Sequence, residues 1–342
     1  MGDGQLMGRD LAIDLGTANT LVYRQGDGIV FDQPTVVALH GGTGEVLAMG
    51  DEVWDLIGGD SGSVVAVRPL RAGAMTEFDI TQRMLEVVVK RSISTRFPKP
   101  RVLVAVPSMS SEVEKRAIEE AVRFAGGGRN VTLVEEPLAA AIGAGLPIHE
   151  PIGNLIVDIG GGRSEMAVVS MGGVVSGRSI ALGGFDLDAA IQEHIRARYG
   201  VAIGETAAEE IKIAIGSAFP SSTGTAAVVT GRELSGGNTV EVKVTEDEIR
   251  QAMSATVRSI ADTARLCLAE APPELTHDIL ETGMFLTGGG SMLRGLDMLL
   301  AQECEVAVHS TERPLETVVI GAGLMLEHLA DYQTAFQLVR RR

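Results

Sequence analysis

One local pattern occurs twice in the chain and constrains the fold more than any other feature. Residues Asp10–Tyr23 read DLAIDLGTANTLVY, and residues Asn154–Val169 read NLIVDIGGGRSEMAVV. Each copy is an apolar strand ending on an Asp (Asp14, Asp158), then a hydrophobic residue, a Gly (Gly16, Gly160), a tight turn of small residues and a returning apolar strand. Such a hairpin points consecutive backbone N–H groups out of its turn, and that cluster of donors holds anionic oxygen. The Asp at the strand end sits beside the turn, positioned to hold a cation directly or through water. Two copies facing each other would grip a polyphosphate and its Mg2+ from both sides. A glycine in a single hairpin can serve only to allow a positive φ; the matched pair points to a nucleotide clamp built by duplication.

At 342 residues the chain exceeds what one core usually supports, so two domains are expected. A hydrophobic fraction of 45% with 22% charged residues fits a soluble globular protein. The net charge of −16 argues against nucleic-acid binding, which leaves a basic footprint. Cys267 and Cys304 fit no metal spacing and read as reduced core thiols of a cytoplasmic protein. The N-terminus has neither the charged start nor the apolar core of a signal peptide. Leu6 stands where a myristoylation signal wants Ser or Thr. No apolar run approaches the roughly 20 residues that span a bilayer, so any membrane contact is expected to be peripheral.

Strand signals dominate Leu11–Leu39, with Gln33-Pro34 separating Gly28–Phe31 from Thr35–Leu39. A short helical piece near Val53–Ile57 lies in a Gly- and Asp-rich stretch that suits an inserted subdomain. Thr81–Arg91 reads as a helix and Arg101–Val106 as a buried strand. Ser111 and Glu114 form a capping box that opens a further helix, stopped by Gly126–Gly128. Val131–Val134 is a strand, and a helix with Pro137 in its first turn follows to Gly143. After Gly153 the pattern restarts with a hairpin, a third strand (Gly173–Ala181) and helices at Asp186–Tyr199 and Glu205–Ile215. Runs at Ala226–Val229 and Val240–Val244 fit a second strand-rich insertion. Thr245 and Glu248 cap a long helix that is expected to run to Pro272-Pro273. Phe285–Thr287 reads as a strand, Gly288–Gly290 as a turn and Ser291–Gln302 as a helix. Two similar halves of mixed strands and helices describe a bilobed α/β protein with a ligand cleft.

In this combination the chain resembles the actin and heat-shock-chaperone ATPase superfamily and, within it, the MreB family of bacterial actins. The resemblance is carried by IDLGTANTLVY (Ile13–Tyr23), VAVRPLRAG (Val65–Gly73), RVLVAVPSMSSEVEKRA (Arg101–Ala117), VEEPLAAAIGAGLPIHEP (Val134–Pro151), VDIGGG (Val157–Gly162), AEEIKIAIGSA (Ala208–Ala218) and FLTGGGSMLRGLD (Phe285–Asp297). These blocks run in the family's order from about Gly8 to Leu329. The implied fold is the bilobed actin-like ATPase fold. Domain I would span 8–150, with a small subdomain at about 39–72 and completion by the segment at about 312–342. Domain II would span 151–311, with a small subdomain at about 183–244.

The resemblance also implies a site for ATP and Mg2+. The first phosphate turn falls on Gly16, Thr17, Ala18 and Asn19, with Asp14 beside the metal. The second falls on Gly160, Gly161 and Gly162, with Asp158 as the other metal-side carboxylate. Gly183 and Gly184 form a third phosphate-side turn. Glu136 matches the residue that positions the attacking water, and general-base help of this kind is typically worth ~10²–10⁴-fold in rate. Its neighbour Glu135 is the competing candidate, with a helix N-terminal acid as its other reading. Gly288, Gly289 and Gly290 would let the nucleoside approach the backbone. Glu209 and Lys212 match the nucleoside-contacting helix, although by themselves they read as a surface i,i+3 ion pair. A P-loop is excluded, because the five lysines avoid every glycine turn. GGGSMLRG at Gly288–Gly295 has the wrong spacing for a dinucleotide fingerprint.

Two positions depart from the family pattern. Where the family typically carries Thr after the second glycine triplet, this chain has Arg163, and an acidic position in the third turn has become Phe185. Arg163 could stabilise transition-state charge like an arginine finger in cis. It could instead tighten ground-state ATP binding without raising turnover, or turn outward to a surface acid. Losing the hydroxyl's preorganised water contact would cost about 3 kcal/mol. The balance favours retained ATP binding with slow hydrolysis.

Filaments of stacked copies follow from the resemblance alone, as does a role in cell shape or wall synthesis beside the elongation machinery's membrane proteins. So does peripheral contact with the inner face of the plasma membrane. Ile93 and Phe97, set among Lys90, Arg91, Arg96, Lys99 and Arg101, are the expected membrane-facing residues, since each basic residue near anionic headgroups contributes about 1 kcal/mol. A non-hydrolysing scaffold or regulatory paralogue is the alternative reading. A sugar or acetate kinase or a chaperone-type ATPase fits less of the chain.

Overall fold

The two hairpins each seed a five-stranded sheet, and the two sheets share one plan. The computed structural model describes residues 10–57, 64–93, 99–126, 130–220, 224–329 and 331–332. The first lobe begins with β1 (Leu11–Leu15), β2 (Asn19–Arg24) and β3 (Gly28–Pro34). A small sheet follows from β4 (Val37–His40), β5 (Val46–Met49) and β6 (Val64–Val67), with α1 (Glu52–Ile57) beside it. The short pair β7 (Leu70–Arg71) and β8 (Ala74–Met75) leads into α2 (Phe78–Ser92), β9 (Val102–Val106), α3 (Glu112–Phe124), β10 (Val131–Glu135) and α4 (Glu136–Gly143).

The second lobe opens with β11 (Asn154–Ile159), β12 (Ser164–Ser170), β13 (Gly173–Ile180) and α5 (Gly184–Tyr199). Its small sheet comprises β14 (Val201–Ala202), β15 (Ala226–Glu233) and β16 (Thr239–Thr245), with α6 (Glu205–Ile215) inserted after β14. Then come α7 (Glu246–Ala269), α8 (Pro273–Thr282), β17 (Met284–Thr287), α9 (Leu296–Cys304) and β18 (Val308–Ser310), after which the chain returns to the first lobe's sheet with α10 (Thr317–Glu327), packed on β1, β2 and β9.

The main sheets have the orders β10-β9-β1-β2-β3 and β18-β17-β11-β12-β13. In each, a hairpin supplies antiparallel pairs and two crossover strands add in parallel. Alternation along the first strand of each explains the layers. Leu11, Ile13 and Leu15 face the core beneath α2 and α3, whereas Ala12 faces the other way. Leu155, Val157 and Ile159 face the second lobe's core, and Ile156 faces back. Between the two sheets lie α4 and α10, whose apolar surfaces meet Ala12, Ala105, Ile156 and Ala167 in one shared core. The duplicated strands are therefore apolar on both faces.

Local signals read from the sequence recur in the structure. Ser111–Glu114 and Thr245–Glu248 both form reciprocal capping boxes. Both cysteines are free and buried in the second lobe's core, where burial pushes each thiol up to about 11. Among the described residues no helix is long and apolar enough to cross a membrane.

Two helix boundaries need correction. The helix expected over Ser291–Gln302 is instead a 3-10 turn, Gly289–Met292, followed by α9 from Leu296. Gly295 takes a left-handed φ of 70° against Phe219, which ends one turn before the next begins. The long helix stops at Ala269, and Pro273 opens a separate helix in its N-terminal position instead of merely terminating the first.

Candidate functional site

Between the lobes lies a cavity of about 460 Å³, onto which both hairpin turns open. Gly16, Thr17, Ala18 and Asn19 line it from the first lobe; Gly160, Gly161 and Gly162 line it from the second. The turns are near neighbours: a Cβ placed on Gly161 would come within 2.7 Å of the Ala18 Cβ. Gly184 also lines the cavity. Gly183 does not; it packs behind the second turn, where its N–H donates to Asp186 Oδ2 at 2.8 Å. The N–H groups of Gly184 and Phe185 donate to the carbonyls of Gly160 and Gly161 at 3.0 and 2.7 Å, so α5 begins directly on that turn.

Asp14, Asp158 and Glu136 converge on this space from the ends of β1 and β11 and the start of α4. Glu135 is buried as the last residue of β10 and does not line the cavity, which separates the two neighbouring glutamates. Burial raises the Asp14 carboxyl to about 7. Asp158 also rises to about 7, through burial and then the charges of Asp14 and Glu165. Glu136 is held well above its ordinary range by burial first, then by Glu165, Asp14 and Asp158, against an opposing pull from Arg163.

These shifts set a pH dependence. Between about 4 and about 7, Asp14 and Asp158 keep protons in the folded chain that the unfolded chain has released. Stability falls as pH rises wherever the folded state binds more protons. Thermal melting of the ligand-free protein should therefore show a Tm that declines from about pH 5 to about pH 8, with Asp158→Asn flattening the slope. A Tm that climbs over that interval would contradict the electrostatic picture.

At the opposite end, Gly288, Gly289 and Gly290 line the cavity with Glu209 and Lys212. Gly288 has a φ of 84°, and a Cβ there would overlap Asp158 Oδ1, so both conformation and space demand glycine. The i,i+3 ion pair, the reading of Glu209 and Lys212 apart from the family resemblance, does not form. Lys212 Nζ instead meets buried Asp188 at 2.9 Å and the Gly184 carbonyl at 3.2 Å, tying α6 to the start of α5. Burial nevertheless leaves the Asp188 carboxyl raised to about 6.

Arg163 lines the cavity at its glycine-turn end, and two of its guanidinium N–H groups are held by protein atoms. Nε donates to the Ala72 carbonyl at 2.6 Å and Nη1 to Ser179 Oγ at 2.8 Å. The guanidinium therefore points to the opposite lobe and to its own sheet, not outward to a surface acid. Phe185 lines the cavity beneath the Arg68 guanidinium, which lies 4.6 Å from the ring centroid.

Several lining residues carried no expectation. Glu165 is the one charged residue of β12 and accepts from the Ser108 N–H at 3.2 Å and the Ser108 hydroxyl at 3.1 Å, across the lobes. A lone carboxylate inside SEMAVVS was the available signal, because such a group is buried only with partners. Ile213, Met292 and Leu315 are exposed apolar side chains at the glycine-triplet end, where they can cover a flat ring. They come from three separate segments, so no local pattern revealed them.

This architecture, two like-patterned lobes closing on one cavity, is that of actin-like filament proteins. The structure matches MreB5 of Spiroplasma citri bound to ADP with a TM-score of 0.89 and 31% identity, over 96% of this chain and 99% of that one. The same protein bound to AMPPNP gives a TM-score of 0.89 at 30% identity. A MamK double helical filament shares the fold at 20% identity, with a TM-score of 0.79.

The chain belongs to the MreB/Mbl protein family, which it matches over residues 8–334. It is 44% identical over 328 residues to the cell shape-determining protein MreB of Escherichia coli, covering 94% of each chain. It is 42% identical over 325 residues to the cell shape-determining protein Mbl of Bacillus subtilis, covering 95% of this chain and 97% of that one.

Proposed function

We propose that this protein binds ATP with Mg2+ between its lobes, hydrolyses it slowly, and assembles into filaments that organise cell shape or cell-wall synthesis at the inner face of the plasma membrane. The observation that carries the reading is the convergence of two glycine turns and three carboxylates, Asp14, Asp158 and Glu136, on one interlobe cavity. Backbone N–H groups of Gly16–Asn19 and Gly160–Gly162 would bind the phosphates, and the Gly288–Gly290 end would take the nucleoside. Glu136 would orient water.

Among the described residues no group of three acidic, His or Cys side chains is arranged to chelate a metal directly. Asp14 and Asp158 fit a Mg2+ held through water, since that ion keeps several waters and prefers carboxylate oxygen. Bound there, the ion would neutralise phosphate charge. Calorimetric titration of the purified chain tests the site. ATP binding is expected only with Mg2+ present, and Asp14→Asn should weaken it at least about tenfold, the effect of roughly 1.4 kcal/mol. Equal binding with and without Mg2+ would overturn the assignment.

A non-hydrolysing scaffold is the second reading, favoured by one observation: the guanidinium of Arg163 is engaged by Ala72 and Ser179. For peripheral membrane contact, Lys90 and Lys99 are exposed, whereas Arg91 pairs with Glu52 and Arg101 with Asp10. Ile93 is half-buried against the first lobe's core, and Phe97 and Arg96 lie outside the described residues. The membrane proposal therefore rests on Phe97. In liposome co-sedimentation Phe97→Ser should reduce binding about tenfold, on the scale of one buried aromatic side chain. Unchanged binding would remove this loop from the account.

A further inference from the structure

The two residues that depart from the family pattern, Arg163 and Phe185, both take part in contacts that cross the cleft. Arg163 follows the second-lobe glycine turn, yet its Nε donates to the carbonyl of Ala72 in the first lobe at 2.6 Å. Its Nη1 donates to Ser179 Oγ in β13, so one planar fork joins the lobes and braces itself on its own sheet. The receiving backbone is fixed in turn. The N–H of Gly73 donates to Thr17 Oγ1 at 3.0 Å, and a Cβ on Gly73 would reach within 3.0 Å of Arg163 Nε.

A second contact lies nearby. Arg68, just after β6 of the first lobe, places its guanidinium over the ring of second-lobe Phe185 and comes within 3.8 Å of Glu205 at the start of α6. Phe185 is held by its own N–H to the Gly161 carbonyl at 2.7 Å. Both arginines thus bridge from residues 68–73 to the segments flanking the second phosphate turn. None of these contacts requires a ligand.

We propose that Arg163 and Arg68 form a two-point latch that holds the cleft closed through protein contacts alone, uncoupling closure from the state of the nucleotide. Arg163 is a positioning residue in this arrangement. Two of its five N–H donors are engaged by Ala72 and Ser179, so protein atoms of both lobes orient the guanidinium and fix the distance between the glycine turns without a terminal phosphate. The consequence for assembly rests on the reading given under Proposed function. If closure favours filament contacts, this protein polymerises with ADP nearly as well as with ATP.

Hydrogen–deuterium exchange of the nucleotide-free full chain tests the latch directly. Residues 70–75 should be protected in the wild-type protein, and Arg163→Thr should accelerate their exchange about tenfold, the effect expected from losing charge-assisted hydrogen bonds. Arg163→Lys separates geometry from charge, because an ammonium cannot reproduce the fork. It should behave like Arg163→Thr; protection equal to wild type would overturn the latch. Arg68→Ala should accelerate the same segment about threefold and carries the test should Arg163→Thr fail to fold. Protection of 70–75 that appears only on adding ATP would also overturn it.

A second arm compares the protein pelleted with ATP and with ADP. The ratio should be close to one in the wild type and shift several-fold toward ATP in Arg163→Thr. A strongly ATP-dependent wild type would overturn the uncoupling. Failure of any nucleotide to bind would sink the proposed function but not the latch, since the exchange measurement needs no nucleotide.

Discussion

Replacing Glu136 by Gln is expected to slow phosphate release from ATP by about 10²–10⁴-fold, the usual contribution of a general base, while leaving affinity for Mg·ATP within about threefold. Glu136 opens α4 at the end of β10 and lines the cavity beside both strand-end aspartates. Burial, reinforced by Glu165, Asp14 and Asp158, raises its carboxyl well above the ordinary range. A base must be ionised to accept a proton. Whatever turnover exists should therefore climb with pH in the region above ordinary carboxylates and flatten once Glu136 has ionised. Glu135→Gln is the control: its side chain lies outside the cavity lining, so the substitution should act on stability and leave turnover much less affected. If Glu135→Gln abolished phosphate release and Glu136→Gln did not, the two roles would be reversed.

Gly321→Ala is expected to destabilise the protein by about 3 kcal/mol or more, at the upper end for overpacked cores. α4 and α10 cross between the two main sheets with almost no space between their backbones. A Cβ on Gly321 would overlap the Ala139 carbonyl oxygen, and one on Gly143 would overlap the Thr317 carbonyl oxygen. Neither collision can be relieved by a rotamer change, because backbone meets backbone. Both helices are flanked by the shared core of Ala12, Ala105, Ile156 and Ala167, which leaves no compliant side. Thermal denaturation should show a Tm lower by roughly 6–12 °C, at 2–4 °C per kcal/mol for domains of this size. A variant melting within about 2 °C of wild type would mean that the helices can separate at little cost.

What the sequence revealed, and what it did not, follows from where the relevant interactions lie. The hairpins were legible because turn and strands occupy one short stretch, and the capping boxes at Ser111 and Thr245 because both partners lie three residues apart. α10 was not read as a helix. Its sequence, TVVIGAGLMLE, is apolar on every side because it is sandwiched between sheets, so it has no polar face to mark a period. The break before α9 was hidden because Ser291, Met292 and Leu293 fit a helix locally, whereas packing of Gly295 on Phe219 decides it.

The site divides in the same way. The glycine turns and strand-end aspartates form local words. Partners distant along the chain do not: Arg163 with Ala72, Lys212 with Asp188 and Glu165 with Ser108 are separated by 91, 24 and 57 residues. Arg163 was visible as a departure, but whether its guanidinium met a phosphate, a surface acid or the opposite lobe depended on the closed cleft. The apolar trio Ile213, Met292 and Leu315 likewise exists only after the lobes assemble.

Electron microscopy of the purified full chain, with Mg·ATP or Mg·ADP and with phosphate release followed in the same samples, tests the central claim most directly. Filaments are expected with ATP and also with ADP, with phosphate released slowly relative to assembly. Dispersed molecules under conditions where the folded protein binds ATP, or rapid hydrolysis without filaments, would contradict it.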